Sequence, residues 1–282
     1  MIDTVTAAAV DAFGLTDRGL VRDANEDHFL IAYVAKSIDV RQTSLPAGAL
    51  APELTGAGGY LLAVADGVGG GPEGDVASER AHSATLSYAG KAATCFQSLD
   101  TSAEHELLEK LEAVVHSVHA GLVEEYGGVT SKVPATTLTL VLLVWPRAYY
   151  VQVGDSRAYV RRGGRLQRLT RDQTLGEYMV AVGAWTDEQA RLASTAETLA
   201  SAIGGSDLEP VIGLIDLLPG DSLLLCTDGL TKHVSDSEIE SVLARTDSAE
   251  VTSRNLVGDA LARGGTDNVT VVVVRTTTAT TR

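Results

Sequence analysis

Residues 136–169 read TTLTLVLLVWPRAYYVQVGDSRAYVRRGGRLQRL. Three strand-like runs, 136–145, 148–153 and 157–162, follow one another across very short connections. Gly163-Gly164 then leads into a fourth run, 165–169. Glycine reaches positive φ without steric cost, so this pair predicts a tight hairpin. Connections this short cannot hold a crossover helix, so the strands must run antiparallel.

Working outward, residues 27–34 (DHFLIAYV) and 60–66 (YLLAVAD) read as further strands, as do 211–217, 222–227 and 268–275. Residues 76–94 carry small and apolar groups at helical spacing. In 102–126, Leu107, Leu108, Leu111, Val114, Val115, Val118 and Leu122 repeat close to a 3.6 period. Two further helices are expected near the C-terminal end, one capped by the Ser235/Glu238 box and one over about 248–263. Strands interrupted by paired helices predict an α+β fold, a four-layer α-β-β-α sandwich of two antiparallel sheets flanked by helices. Residues 36–59 read as a long surface loop or hairpin. Residues 173–200 read as a flap, with Thr186 and Gln189 capping a short helix.

No Pro-rich, Ser-rich or charged linker divides the 282 residues, so a single domain over 1–282 is expected, with a core of about 11–275 and a Thr-rich tail at 276–282. The net charge of −15 argues against a nucleic-acid partner, since such binding depends on Lys and Arg neutralising phosphates. No apolar stretch reaches the ~20 residues that span a bilayer, so no membrane partner is expected. The N-terminus lacks the basic region of a signal peptide. Cys95 and Cys226 show no metal-ligand or disulfide spacing, which fits a reducing, cytoplasmic location. A monomer is expected.

Four aspartates sit where apolar runs meet glycines or polar turns. Asp66 ends LLAVAD before Gly67, Asp155 ends YYVQVGD, Asp228 ends LLLCTD before Gly229, and Asp267 lies in GGTDN before VTVVVV. A carboxylate at the mouth of a buried strand is costly unless paired or bound to metal. One such Asp is an ordinary turn former. Four of them point to a shared cation, and an all-oxygen donor set suits Mg²⁺ or Mn²⁺. Gly69-Gly70-Gly71 has neither a GK[ST] ending nor GxGxxG order, so it does not read as a nucleotide-binding loop. Residues 18–27 (RGLVRDANED) bring Arg22, Glu26 and Asp27 together, and a guanidinium suits phosphate.

In order along the chain, RDANED, VADGVGG, ATTLTLVLL, VGDSRAY, LTRDQTL, LLLCTDGL and GGTDNVTVV resemble the motifs of the PPM, or PP2C-like, metal-dependent serine/threonine phosphatases. The resemblance covers roughly residues 11–275. It implies a central β-sandwich flanked by helices. It implies that Asp66, Asp228 and Asp267 ligate one metal, and that Asp66, the Gly67 carbonyl and Glu26 serve a second. Asp155 and Asp228 would hold a weaker third. Arg22 would bind the substrate phosphate and Asp27 would order water. Val68, Ala135 and Gln173 stand where the family commonly has Met, Gly and His, and animal members place a proposed general-acid His at the Val68 position. The flap lacks the His-Pro and Arg typical of bacterial members.

The implied activity is hydrolysis of phosphoserine and phosphothreonine by a metal-bridged water, with two Mn²⁺ or Mg²⁺ ions and phosphorylated targets of a Ser/Thr kinase as substrates. Two alternatives stay open at this point. One is a poorly active phosphoprotein-binding module of the same fold; the other is a two-metal phosphodiesterase.

Overall fold

The computed structural model describes residues 9–34, 38–43, 59–68, 76–81, 83, 101–126 and 133–277. Gly69-Gly70-Gly71, residues 84–94 of the first expected helix, Cys95 and residues 278–282 of the tail lie outside the described residues. So do 44–58 of the expected loop.

Twelve strands form two sheets among the described residues. The first has the order β1 (Ala9–Asp17), β12 (Val269–Thr277), β11 (Ser222–Cys226), β8 (Arg157–Arg162), β9 (Arg165–Arg168). The second runs β10 (Val211–Asp216), β7 (Arg147–Val153), β6 (Leu138–Val144), β4 (Gly59–Val68), β2 (Asp27–Val34), β3 (Ile38–Thr43), with β5 (Ala135–Thr136) paired to the end of β4. Every ladder is antiparallel. The β8–β9 turn places Gly163 at φ 56° and Gly164 at φ 85°, the double positive φ that a two-residue hairpin requires.

Side chains alternate between the faces of a strand, and here both faces are covered. Phe29 and Ile31 of β2 meet Val272 and Val274 of β12 between the sheets. Leu30, Ala32 and Val34 face the other way, onto Leu107, Leu111, Val115 and Leu122 of α1 (Thr101–Tyr126) and Ala77 and Ala81 of the helical residues 76–81. In β12, Val269, Val271 and Val273 pack against α5 (Asp236–Leu243) and α6 (Ala249–Ala262) through Ile239, Leu243, Leu256 and Ala260. Each fully buried Val or Leu contributes about 1.5–3 kcal/mol. The expected four layers are present.

Two strands go beyond the sequence reading. β1 was not expected. Its AVDAFGLTD dilutes the apolar pattern with Gly14 and two aspartates, and it holds only an edge of the first sheet, along β12. β3 gives the 36–59 segment its hairpin with β2, with a register shift at Ile31/Ala32. The expected run 136–145 divides into β5 and β6 around Thr137, for a reason that belongs to the site.

Candidate metal centre

β2 and β4 pair with Asp27 directly opposite Asp66. Like charges opposite one another destabilise a sheet. Asp27 is buried, and its Oδ2 accepts hydrogen bonds from the hydroxyls of Thr227 (2.8 Å) and Thr270 (2.7 Å). Burial pushes its carboxyl up to about 7; the two hydroxyls oppose that, and Asp228 and Asp267 add to it. Asp66 is raised well above the usual range by burial, then by Asp27, Asp228, Asp155 and Asp267. Asp155, just past β7, is pushed up to about 8 by burial, then by Asp228 and Asp172, against the pull of Lys232. Folding has gathered anions that oppose one another's ionisation.

Adjacent threonines fix Asp66. The Asp66 amide donates to Thr137 Oγ1 at 3.0 Å, while Thr137 N and Thr136 Oγ1 both donate to the Asp66 carbonyl at 2.9 Å. Thr137 Oγ1 also meets Ser156 Oγ at 2.7 Å, tying Asp66 to the turn that carries Asp155. Thr137 therefore serves this node rather than a continuous strand.

Asn268 fixes the loop 18–26. Its Oδ1 accepts from the Glu26 amide at 2.9 Å, and its Nδ2 donates to the carbonyls of Arg18 and Ala24, both at 2.8 Å. The carbonyl of buried Glu26 accepts from Gly67 N at 3.3 Å and Ser78 Oγ at 2.9 Å. Glu26, Gly67, Asp66 and Asp27 are thus locked into neighbouring positions.

Asp228 opens α4 (Asp228–Thr231). A Cβ on Gly229 would lie 1.8 Å from the Asn268 carbonyl oxygen, so glycine is required for this turn to approach the Asp267-Asn268 segment. At the other end of the turn, Lys232 N donates to the Asp228 carbonyl at 2.8 Å. Its Nζ lies 2.6 Å from Asp228 Oδ2 and 2.8 Å from Asp267 Oδ2. Arg22 reaches Asp267 with both arms, Nε to Oδ1 and Nη2 to Oδ2 at 2.8 Å each. Burial would raise Asp267, but the hydrogen bonds from Lys232 and Arg22 outweigh it and leave the carboxyl below its usual range. Burial raises Asp228 despite Lys232.

The expected residues Arg22, Glu26, Asp27, Asp66, Gly67, Asp155, Asp228 and Asp267 therefore meet at one rim of the sandwich. Arg22 differs from expectation in one respect: its guanidinium forks onto Asp267, a candidate ligand. Among the described residues no three acidic, His or Cys side chains converge closely enough to form a ready cage. Oxygens of Asp228 and Asp267 are instead held by Lys232 and Arg22. The donors nevertheless fit a hard cation. Asp27 Oδ1 and Asp228 Oδ1 are buried with no hydrogen-bond partner among the described residues, and unpaired buried carboxylate oxygens are costly. Cys226 is buried with its thiol pushed up to about 12 by burial, which removes it as a nucleophile.

Beside the rim lies a groove of about 880 Å³, lined by Asp155, Asp228 and Lys232 and by Glu177, Arg191 and Glu197 of the flap. The flap carries α2 (Leu175–Ala181), capped by Thr174, and α3 (Asp187–Leu192), closed by the expected Thr186/Gln189 capping box. Gln173 anchors it. Its Oε1 accepts from Gly154 N at 2.7 Å, its amide donates to the Gly154 carbonyl at 3.0 Å, and its Nε2 donates to the Glu209 carbonyl at 2.6 Å.

Lys232, Asn268 and the hydroxyls of Thr137, Thr227 and Thr270 were not singled out from the sequence. Lys232 had a usable signal, its spacing of four from Asp228 on a short helix. The hydroxyls lay inside the motifs ATTLTLVLL, LLLCTDGL and GGTDNVTVV, but nothing in the sequence paired them with their partners on distant strands.

The comparisons place the chain and its fold among phosphatases. The family model described as protein phosphatase 2C matches residues 51–262. The serine/threonine protein phosphatase PstP of Mycobacterium tuberculosis is 35% identical over 261 residues, 92% of this chain; the chain spans 43% of that protein's length. The solved serine/threonine phosphatase of S. agalactiae superposes with a TM-score of 0.78 at 27% identity, covering 95% of this chain and 99% of that one. The catalytic domain of PstP in complex with 2 manganese ions superposes at 0.71 with 31% identity, covering 96% of this chain and 100% of that one.

Proposed function

This chain belongs to the protein phosphatase 2C family, and from that premise we propose that it hydrolyses phosphoserine and phosphothreonine in proteins. The observation that carries the reading is the set of buried and half-buried, mutually repelling aspartates centred on Asp66 and Asp27. Asp66, Asp228 and Asp267 would hold one divalent cation, and Asp66, the Gly67 carbonyl and Glu26 a second. Asp155 and Asp228 would hold a weaker third. Bound there, Mn²⁺ or Mg²⁺ supplies charge neutralisation and lowers the pKa of water.

The chain's own groups do the rest. Phosphoryl transfer needs positioning and charge neutralisation more than covalent help. Arg22 offers a two-armed fork to phosphate oxygens. It sits 49% exposed beside the cluster and can exchange Asp267 for substrate. Asp27, with Oδ2 held by two threonines, keeps Oδ1 as an acceptor that orders water. Val68 has no titratable proton, so the leaving alkoxide must draw one from another donor, which we assign to water. The names of the relatives favour hydrolysis over a binding-only module.

The expected substrates are phosphoproteins made by a Ser/Thr kinase, met by a cytoplasmic monomer. Among the described residues no helix is long and apolar enough to cross a membrane. The test is phosphate release from a phosphothreonine peptide, para-nitrophenyl phosphate and a bis-ester, each with Mn²⁺ and with EDTA. Release from the two monoesters, only with Mn²⁺, is expected. Preference for the bis-ester would replace this reading with a phosphodiesterase.

A further inference from the structure

One ammonium, Lys232 Nζ, joins two carboxylates carried by different segments, Asp228 at the start of α4 and Asp267 before β12. The side chain is 28% exposed and its partners less so, which places it, like Arg157–Asp172, among the less screened pairs of the chain. The α4 turn fixes the arrangement, because residues four apart share a helix face. We propose that Lys232 is a built-in counter-ion that competes with divalent metal for Asp228 and Asp267, holding them together in the metal-free chain and weakening metal binding. This rests on the reading of those aspartates as metal ligands.

The reasoning is one of mutual exclusion. Nζ sits within hydrogen-bond distance of Asp228 Oδ2 and Asp267 Oδ2, so a cation taking those two oxygens would occupy the same space. Two like charges a few ångströms apart repel strongly in a partly buried site. A metal that uses those oxygens binds only as the ammonium leaves. Room for that departure exists, since Lys232 lines the 880 Å³ groove. A flexible stem with a compact charge suits such a movement better than a planar guanidinium.

Linkage then ties two measurements together. If Lys232 stabilises only the metal-free form, removing it must lower the stability of that form and tighten metal binding by the same free energy. Lys232→Gln and Lys232→Met separate the charge from the stem, because Met keeps the apolar part. Both are measured by Mn²⁺ calorimetry and by urea unfolding in EDTA and in saturating Mn²⁺. Both variants are expected to bind Mn²⁺ about tenfold more tightly, equivalent to about 1.4 kcal/mol. Their unfolding midpoints should fall in EDTA and match wild type in Mn²⁺. An unchanged or weaker Mn²⁺ affinity overturns the proposal. So does a midpoint lowered equally in both conditions, or a variant that fails to fold even with Mn²⁺, since either makes Lys232 a general structural residue. Wild-type protein that binds no Mn²⁺ would overturn the metal reading itself and this inference with it.

Discussion

At Asp228, burial, a lysine and neighbouring carboxylates act on one side chain. Burial wins, and the carboxyl is raised. A carboxylate raised in the folded state opposes folding at neutral pH, where the unfolded chain ionises it freely. Asp228→Asn is therefore expected to abolish Mn²⁺-dependent turnover while the melting temperature in EDTA holds or rises. Turnover within a few-fold of wild type would remove Asp228 from the metal scheme. Arg22→Ala is expected to lower kcat/KM by about 10- to 150-fold, the value of a charge-assisted contact of about 1.5–3 kcal/mol. Mn²⁺ affinity should change less than kcat/KM, because the Arg22 end of the pair is half exposed to solvent. An unaltered kcat/KM would move the phosphate site elsewhere. Asn268 is neutral, yet it joins Glu26, Arg18 and Ala24. Asn268→Ala is expected to cost about 1–3 kcal/mol, chiefly by leaving the buried Glu26 amide unpaired. Urea unfolding checks this, and an unmoved midpoint would mean that the loop 18–26 is held by other contacts. The charged members of the site were legible from their places at strand ends. Asn268 lay inside the GGTDNVTVV motif, but its role did not show, because an Asn beside a turn has an ordinary local explanation.

Among the elements, the flap stands apart from the sandwich. α3 buries none of its residues and depends on its own capping box. An N-cap Thr→Ala change costs about 1 kcal/mol. Thr186→Ala should therefore speed amide exchange over 187–192 by about fivefold while global stability stays put. Exchange unaltered there would show that packing, not the cap, holds the helix. Long apolar runs and capping boxes made β2, β4, β6–β8, α1 and α5 readable. β1 was hidden because an edge strand that shares its burial with β12 and α6 can carry Gly14 and Asp11 at no cost to a core of its own. Asp11 even finds a use, accepting from the Ala249 amide at the start of α6.

For the molecule as a whole, clustered anions link stability to metal. Metal that binds only the folded chain stabilises it by about 2.7 kcal/mol at a hundredfold excess over Kd. The melting temperature should rise with Mn²⁺ or Mg²⁺ over its value in EDTA, and activity should rise in parallel. Zn²⁺ should serve less well, since among the described residues no His or Cys joins the aspartates to favour it. Full activity in EDTA after exhaustive dialysis, with an unmoved melting temperature, is incompatible with the two-metal reading.

The order of apolar runs and short turns was enough to determine two antiparallel sheets, because hairpin geometry is local and both faces of the central strands announce their burial in composition. The same runs determined where Asp66, Asp155, Asp228 and Asp267 must sit, at strand ends, because a charge there marks where burial stops. Only the tertiary structure decided which ends share a rim, that Asp27 lies opposite Asp66, and that Lys232 and Arg22 both reach Asp267. Those facts depend on strand register and on side chains from distant segments, and no local pattern in a chain records which of its cations will meet which of its anions.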